Sequence, residues 1–319
     1  MFIRVSHQTP CPVCGKPDWC ARNDKVVICM RVPSERPSQN GGWVHRLKEK
    51  EINEINFIPS SQIRIRRKPD SDLDRIYRKL LNMLSLSPSH ASHLRSRGMN
   101  GGEIERGGYR TLPEYRQHIL SRFSAEEMSG VPGFGLKKGH WILTGRPGIL
   151  IPVVQNGLIV SLLIRPDNQS FGRKYQILSS SWLEEGSSPG ARIHVAVPSR
   201  ICDPNTAWIV EGPLKGNIVA ERVGAVTYCV PGVNSWKELK DMSLPKTIIV
   251  AYDSDYENFH VRYHARKLSN WLIKQGHEVY AALWEGYKGP DDALINEIKI
   301  KFYRLFWRSL PSKEILIKK

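Results

Sequence analysis

Negative charge is in short supply in this sequence. Only 31 Asp and Glu face 47 Lys and Arg, a formal net charge of +16. Such an excess fits a partner with a dense negative backbone, DNA, RNA or both. Long apolar runs are missing too: none approaches the ~20 residues a membrane helix needs. The opening Met1-Phe2-Ile3-Arg4 has no signal-peptide core. The expectation is a cytoplasmic protein with no membrane partner. Cysteine is scarce, with six in 319 residues, which excludes the disulfide scaffold of a small secreted chain. No Gly-x-x-x-x-Gly-Lys-Ser/Thr signature occurs, and a fused helicase motor is therefore not expected.

What remains is enough for two domains or three small ones, with an ordinary apolar fraction of 40%. Four cysteines crowd between Cys11 and Cys29. Cys11-Pro12-Val13-Cys14-Gly15 reads as a knuckle, a tight turn that points two thiolates at one ion. Cys20 follows, and then Cys29 after the strand-like Val26-Val27-Ile28. Four thiolates would close a structural tetrahedral Zn²⁺ site. The second pair lacks Cys-x-x-Cys spacing, so His45 is an alternative to Cys20 as fourth ligand, and His7 a weaker one. A domain this short buries little surface, so the metal would supply much of its folding energy.

Residues 48–71 read as a basic linker, with Lys48, Lys50, Arg64, Arg66, Arg67 and Lys68. Leu73, Ile76, Tyr77, Leu80, Leu81 and Leu84 recur at helical spacing. A second helix starts near Ser87-Pro88 and ends at Arg97-Gly98. It carries His90 and His93, which read as surface or core histidines. Residues 113–123 continue a small helical unit. From Gly148 short strands begin, with a tight hairpin at Asn156-Gly157.

Three acidic clusters then follow apolar runs. Glu211 ends Trp208-Ile209-Val210; Asp253-Ser254-Asp255 ends Ile248 to Tyr252; Asp291-Asp292 comes shortly after Val279 to Trp284. Continuous runs of this kind read as buried parallel strands. Chemistry in an open α/β sheet collects beyond the carboxyl ends of its strands. Glu211, Asp253, Asp255 and Asp291 would therefore share one edge, where a hard divalent cation such as Mg²⁺ or Mn²⁺ relieves their repulsion. Cys202 and Cys229 read as isolated buried thiols. The tail from Lys299 alternates Phe302, Leu305, Phe306 and Trp307 with Lys and Arg. Two readings of it stay open: an amphipathic helix docked on the core, or a contact with a partner or nucleic acid.

Val210-Glu211-Gly212 and Asp253-Ser254-Asp255, in this order and with strand–helix spacing, resemble the toprim domain of bacterial, DnaG-like DNA primases, topoisomerases and some nucleases. Two positions depart from the primase pattern: Lys215 stands where an Asp is frequent, and Gly289-Pro290-Asp291 replaces Asp-Pro-Asp. The zinc ribbon ahead of the sheet agrees in position and kind, not in ligand pattern. The segment from Gly148 to Ser181 is similar to the basic subdomain that precedes toprim. The resemblance implies an α/β fold: a toprim-type parallel sheet flanked by helices, preceded by an α+β basic subdomain and an N-terminal zinc-ribbon domain. The expected divisions are zinc-binding residues 1–47, linker 48–71, primase-like subdomain 72–200, toprim 201–298 and a basic tail 299–319.

By the same resemblance Glu211, Asp253, Asp255 and Asp291 are catalytic, with Glu211, Asp253 and Asp255 on magnesium. Arg146, Arg165 and Lys174 face template and incoming nucleoside triphosphate. Lys215 binds phosphate or pairs with an adjacent acid. The expected activity is primer synthesis on single-stranded DNA, in the manner of stand-alone primase cores of mobile elements, with a separate helicase as a possible partner. A toprim nuclease and a nucleic-acid-binding protein without catalysis are the alternatives.

Overall fold

The computed structural model describes residues 2–32, 34, 36, 38, 42–47, 66–168, 174–254 and 259–307. Lys48, Lys50, Arg64, Asp255 and residues 308–319 lie outside the described set. The chain divides into two compact units, Met1–Gln62 and Ile63–Lys319. No described helix is long and apolar enough to cross a membrane.

The first unit is a small antiparallel sheet of β1 (Ile3–Arg4), β2 (Ala21–Arg22), β3 (Val26–Cys29) and β4 (Trp43–Arg46), paired in that order. Its buried core is Val5, Cys11, Cys20, Val27 and Cys29. Three of those five are cysteines, so apolar burial alone leaves this unit poorly held.

The second unit starts with α1 (Asp70–Asn82), whose Leu73, Ile76, Tyr77, Leu80 and Leu81 are buried at helical spacing. In α2 (Pro88–Ser96), the Ser87 side chain accepts the His90 amide at 3.3 Å, and Pro88 takes the first turn. Gly98 just beyond it has φ +81°, the left-handed stop the sequence suggests. Next come α3 (Gly101–Arg106), β5 (Arg110–Leu112), and two short turns of helix, α4 (Gln117–Leu120) and α5 (Ala125–Met128). A hairpin of β6 (Phe134–Lys137) and β7 (His140–Leu143) leads to β8 (Gly148–Gln155), β9 (Leu158–Pro166) and β10 (Gln176–Ile177). The turn between β8 and β9 is Asn156-Gly157, with φ of +50° and +76°, as a tight hairpin requires. These strands form an antiparallel sheet in the order β10-β9-β8-β5.

The remainder is β11 (His194–Ala196), β12 (Thr206–Glu211), α6 (Pro213–Val223), β13 (Val226–Val230), β14 (Thr247–Val250), α7 (Phe259–Lys274), β15 (Glu278–Leu283), α8 (Pro290–Ile295) and β16 (Lys301–Leu305). They build a six-stranded sheet in the order β11-β13-β12-β14-β15-β16. The four inner strands run parallel and the two edges antiparallel. Both faces are covered, which is why the strands are apolar without alternation. On β12, Trp208 and Val210 pack with Val219, Ala220 and Ala293, while Ala207 and Ile209 pack with Leu268 and Leu272 of α7. Mixed α/β architecture with a parallel-containing sheet is thus observed.

The structure departs from the sequence reading in three places. Between β13 and β14, where the strand–helix alternation of the toprim resemblance implies a helix, the chain makes only a 3-10 turn at Lys237–Asp241. The tail does not form a helix where it is described: Lys301–Leu305 pairs with Val279–Leu283 as an edge strand. There Phe302 meets Trp208 edge-on, ring centres 5.8 Å apart. Cys202 is exposed, not buried, whereas Cys229 is buried as expected.

Candidate active site

In the first unit the four sulfurs of Cys11, Cys14, Cys20 and Cys29 lie within 4.8 Å of one another. Zn–S bonds of about 2.3 Å place tetrahedral sulfurs roughly 3.8 Å apart. Here Cys14 and Cys20 are 3.7 Å apart, and Cys20 and Cys29 3.9 Å. The set fits zinc. His45 stands elsewhere, its Nε2 donating to the Val32 carbonyl at 3.0 Å, so Cys20 is the fourth ligand of choice. Backbone amides steady the sulfurs: Met30 donates to Cys20 Sγ at 3.4 Å and Val32 to Cys29 Sγ at 3.3 Å. Gly15 has φ +66° and its amide returns to the Cys11 carbonyl at 2.7 Å, closing the knuckle.

In the second unit, β12 ends on Glu211 and the chain turns at Gly212 into α6. Asp253 follows β14, and Asp291 stands in the first turn of α8. All three acids come from carboxyl ends of neighbouring parallel strands, directly or through one loop. The Asp253 loop is tied to the one before α8: the Ser254 amide donates to the Lys288 carbonyl at 2.8 Å and its hydroxyl to Tyr287 O at 2.7 Å. Burial first, then the Asp253 charge, hold the Glu211 carboxyl above the usual carboxylate range, against the opposing pull of Lys215 and of the Asp253 backbone amide.

Two of the acids already have cations. Lys215, in the first turn of α6, ion-pairs with Asp253. Arg97, at the end of α2, pairs with Asp291 Oδ2, and that carboxylate is 1% exposed. Its other oxygen, Oδ1, is buried with no hydrogen-bond partner. Gly289 has no room for a side chain, since a Cβ there would lie 2.3 Å from Asp291 Oδ1 and 3.4 Å from Lys215 Nζ. The two positions that depart from the primase pattern, 215 and 289, therefore touch. Among the described residues the one group of three or more potential metal ligands is the cysteine set. The chemistry of the described carboxylates suits one divalent ion at Glu211 and Asp253, with Asp291 neutralised by Arg97.

Beside the acids lies a basic group drawn from three other segments. Lys174 and Arg165 each stand over the Tyr175 ring at 5.8 Å. Partial burial, followed by repulsion from Arg97, Arg165 and Lys215, lowers the Lys174 ammonium. His93 is lowered by burial and then by Arg165 and Arg97. Arg165 Nη1, Arg97 Nε and His93 Nε2 are buried without partners. Of the cations named from the sequence, Lys174, Arg165 and Lys215 converge; Arg146 lies exposed in the loop between β7 and β8. Arg97 and His93 are additions that sequence reading missed. His90 is occupied structurally, held by Thr111 and Asp167 at 2.7 Å each.

The raised Glu211 carboxyl sets a pH dependence. A folded-state value above the unfolded one stabilises the fold at low pH, and this contribution is lost as pH rises through the folded value. Glu211→Gln should therefore melt higher than the unaltered protein at about pH 7.5, with the gap closing towards about pH 4, where both side chains are neutral. Thermal melts across that range check it; a gap that is constant or reversed contradicts the burial reading.

No family model matches the chain, and no curated protein does. Its fold, however, is similar to solved bacterial primases. The zinc-binding and RNA polymerase domains of the Aquifex aeolicus primase align with a TM-score of 0.55 at 18% identity, over 73% of this chain and 62% of that one. A DNA primase domain from Pseudomonas aeruginosa aligns with a TM-score of 0.57 at 15% identity, over 71% and 75%. The DnaG primase catalytic domain bound to ssDNA aligns with 0.52 at 15%, over 72% and 80%. This chain thus spans less than two thirds of the Aquifex protein it matches. At such identities the likeness is one of fold.

Proposed function

We propose that the chain is a primase-like nucleotidyltransferase of the toprim type, making short primers on single-stranded DNA. The observation that supports this best is the meeting of Glu211 and Asp253, at strand ends of a primase-like fold, with the basic group of Arg97, Arg165 and Lys174. Nucleotide addition needs fixed cations for phosphates and an acidic point for a divalent ion. Glu211 and Asp253 would hold Mg²⁺ or Mn²⁺, with Asp255 completing the toprim motif. When bound, the ion would neutralise triphosphate charge and favour attack by a 3′-hydroxyl. Arg165, Lys174 and Arg97 orient the phosphates and the strand, and Arg146, exposed between β7 and β8, is proposed as a further template contact.

The zinc unit presents template-facing aromatics in this reading. Trp19 is 56% exposed under the Arg31 guanidinium, 5.8 Å away, and such a pair suits stacking on an unpaired base. Trp43 on β4 is the second candidate. A separate helicase partner and a mobile-element origin belong to the same proposal.

A binding protein without catalysis is the second reading, favoured by the ion pairs of Asp253 and Asp291. Incubating labelled single-stranded DNA with nucleoside triphosphates and Mg²⁺ or Mn²⁺ separates the outcomes. Extension products support the primase; cleavage indicates a toprim nuclease; retention alone indicates a binding protein.

The basic group has its own test. Lys174→Ala should weaken single-strand binding at every sequence alike and flatten the salt dependence, by roughly 0.7 in the log–log slope for one lost phosphate contact. Fluorescence anisotropy at graded salt reads the slope; an unchanged slope removes Lys174 from the interface.

A further inference from the structure

The carboxylates that the proposed function gives to a metal already hold a cation that belongs to the protein. We infer that Lys215 is a tethered counter-cation in competition with divalent metal for Asp253, and that metal binds there only as the ammonium withdraws towards Asp291. The inference rests on the reading of Glu211 and Asp253 as metal ligands, but its test does not depend on catalysis.

Four observations carry it. Lys215 Nζ pairs directly with Asp253 Oδ1, with side chains 15% and 22% exposed. Water screens such a pair less than one on the surface. Lys215 also acts on Glu211, opposing the upward pull of burial and of Asp253 on that carboxyl. One ammonium thus contacts Asp253 and lies close enough to Glu211 to act on its charge. Gly289, bare of a side chain, lets the lysine through: its absent Cβ would be 3.3 Å from Lys215 Cε and 3.4 Å from Nζ. Finally, Asp291 Oδ1 borders the same glycine, at 2.3 Å from that point. It is a buried acceptor with no partner, on a carboxylate 1% exposed.

The ammonium therefore has two acceptors within a short swing. Paired with Asp253 it neutralises that carboxylate. Turned to Asp291 Oδ1 it frees Asp253, and it satisfies an oxygen whose burial is otherwise uncompensated. A divalent ion and the lysine cannot both neutralise Asp253 at contact distance, because like charges that close repel. The lysine's pairing with Asp253 is the quantity that metal must overcome, so apparent metal affinity is lower than the carboxylates alone would give.

Mn²⁺ alone is the probe, titrated into the zinc-loaded full chain and followed by the electron paramagnetic resonance signal of the free ion. Lys215→Met keeps length and removes charge; it should tighten Mn²⁺ binding about tenfold. Lys215→Gln should shift affinity the same way, which guards against a packing artefact of one variant, and melting curves verify that each is folded. Lys215→Arg should stay at or below the affinity of the unaltered protein. Asp253→Asn should lose the site. Unchanged or weaker Mn²⁺ binding in both neutral variants overturns the inference. If the protein makes primers and neither variant tightens Mn²⁺, this inference alone falls. If the variants tighten Mn²⁺ and no primer forms, the primase reading alone falls.

Discussion

Cys20→Ser is expected to leave the N-terminal unit unfolded and to release its zinc, while the second unit keeps its own melting transition. The unit's core is five residues, of which Cys11, Cys20 and Cys29 are three. Remove the metal and the remaining apolar contribution is two valines with a few half-buried neighbours. Structural zinc contributes on the order of 10–16 kcal/mol of apparent binding energy in small peptide domains, more than such a core supplies by itself. Metal analysis should find one zinc per chain in the unaltered protein and none in the variant. The loss should weaken binding of single-stranded DNA, because Trp19 and Arg31 are held beside Cys20. The Arg31 side chain reaches Asp18 at 2.7 Å, so its position depends on the loop that the metal closes. His45→Ala, in contrast, should retain the zinc, since His45 is engaged with Val32. Zinc lost from the His45 variant and kept by the Cys20 variant would reverse the ligand assignment.

The second large effect concerns Asp253. Replacing it by Asn keeps the shape of the side chain and removes its charge. Primer synthesis should fall roughly a thousandfold, the upper range for deleting one fixed electrostatic contact in a water-poor site. Two consequences follow from the same substitution. Lys215 is left beside a neutral amide, and Glu211 loses the neighbouring charge that helps raise its carboxyl. Glu211 in Asp253→Asn should therefore titrate lower than in the unaltered protein, with burial still holding it above an ordinary carboxylate. Carbon-detected NMR of the Glu211 carboxyl measures this directly. A value that does not move would mean the two acids are not neighbours in solution.

Much of this was legible from the sequence because the relevant signals are local. The thiol spacing from Cys11 to Cys29 points at one ion whatever the rest does. Ile248 to Val250 and Trp208 to Val210 are apolar at successive positions because helices cover both faces of their sheet. Asn156-Gly157 marks a hairpin because both residues take positive φ.

The failures have the opposite character. Lys301–Leu305 became a strand through pairing with β15; its side chains are largely exposed, so no buried stripe fixes a period. Arg97 reaches Asp291 across 194 positions, and no spacing rule spans that gap. The same holds for His93, which reads as a surface or core histidine because no carboxylate or thiol stands near it in sequence, although Arg165 and Lys174 meet it in space. The acids at the strand ends were found from their order along the chain. Of the cations that neutralise them, Lys215 was already legible, an ion pair with an adjacent acid being one of its two readings; Arg97 was visible only once α2 was placed against the sheet.

One measurement bears most directly on the account: synthesis of di- and oligonucleotides on a mixed-sequence single-stranded template with Mg²⁺ or Mn²⁺ and all four ribonucleoside triphosphates, the unaltered protein run beside Asp253→Asn. Short products are expected from the first and none above background from the second. No product with either metal, or equal product from both proteins, would contradict it.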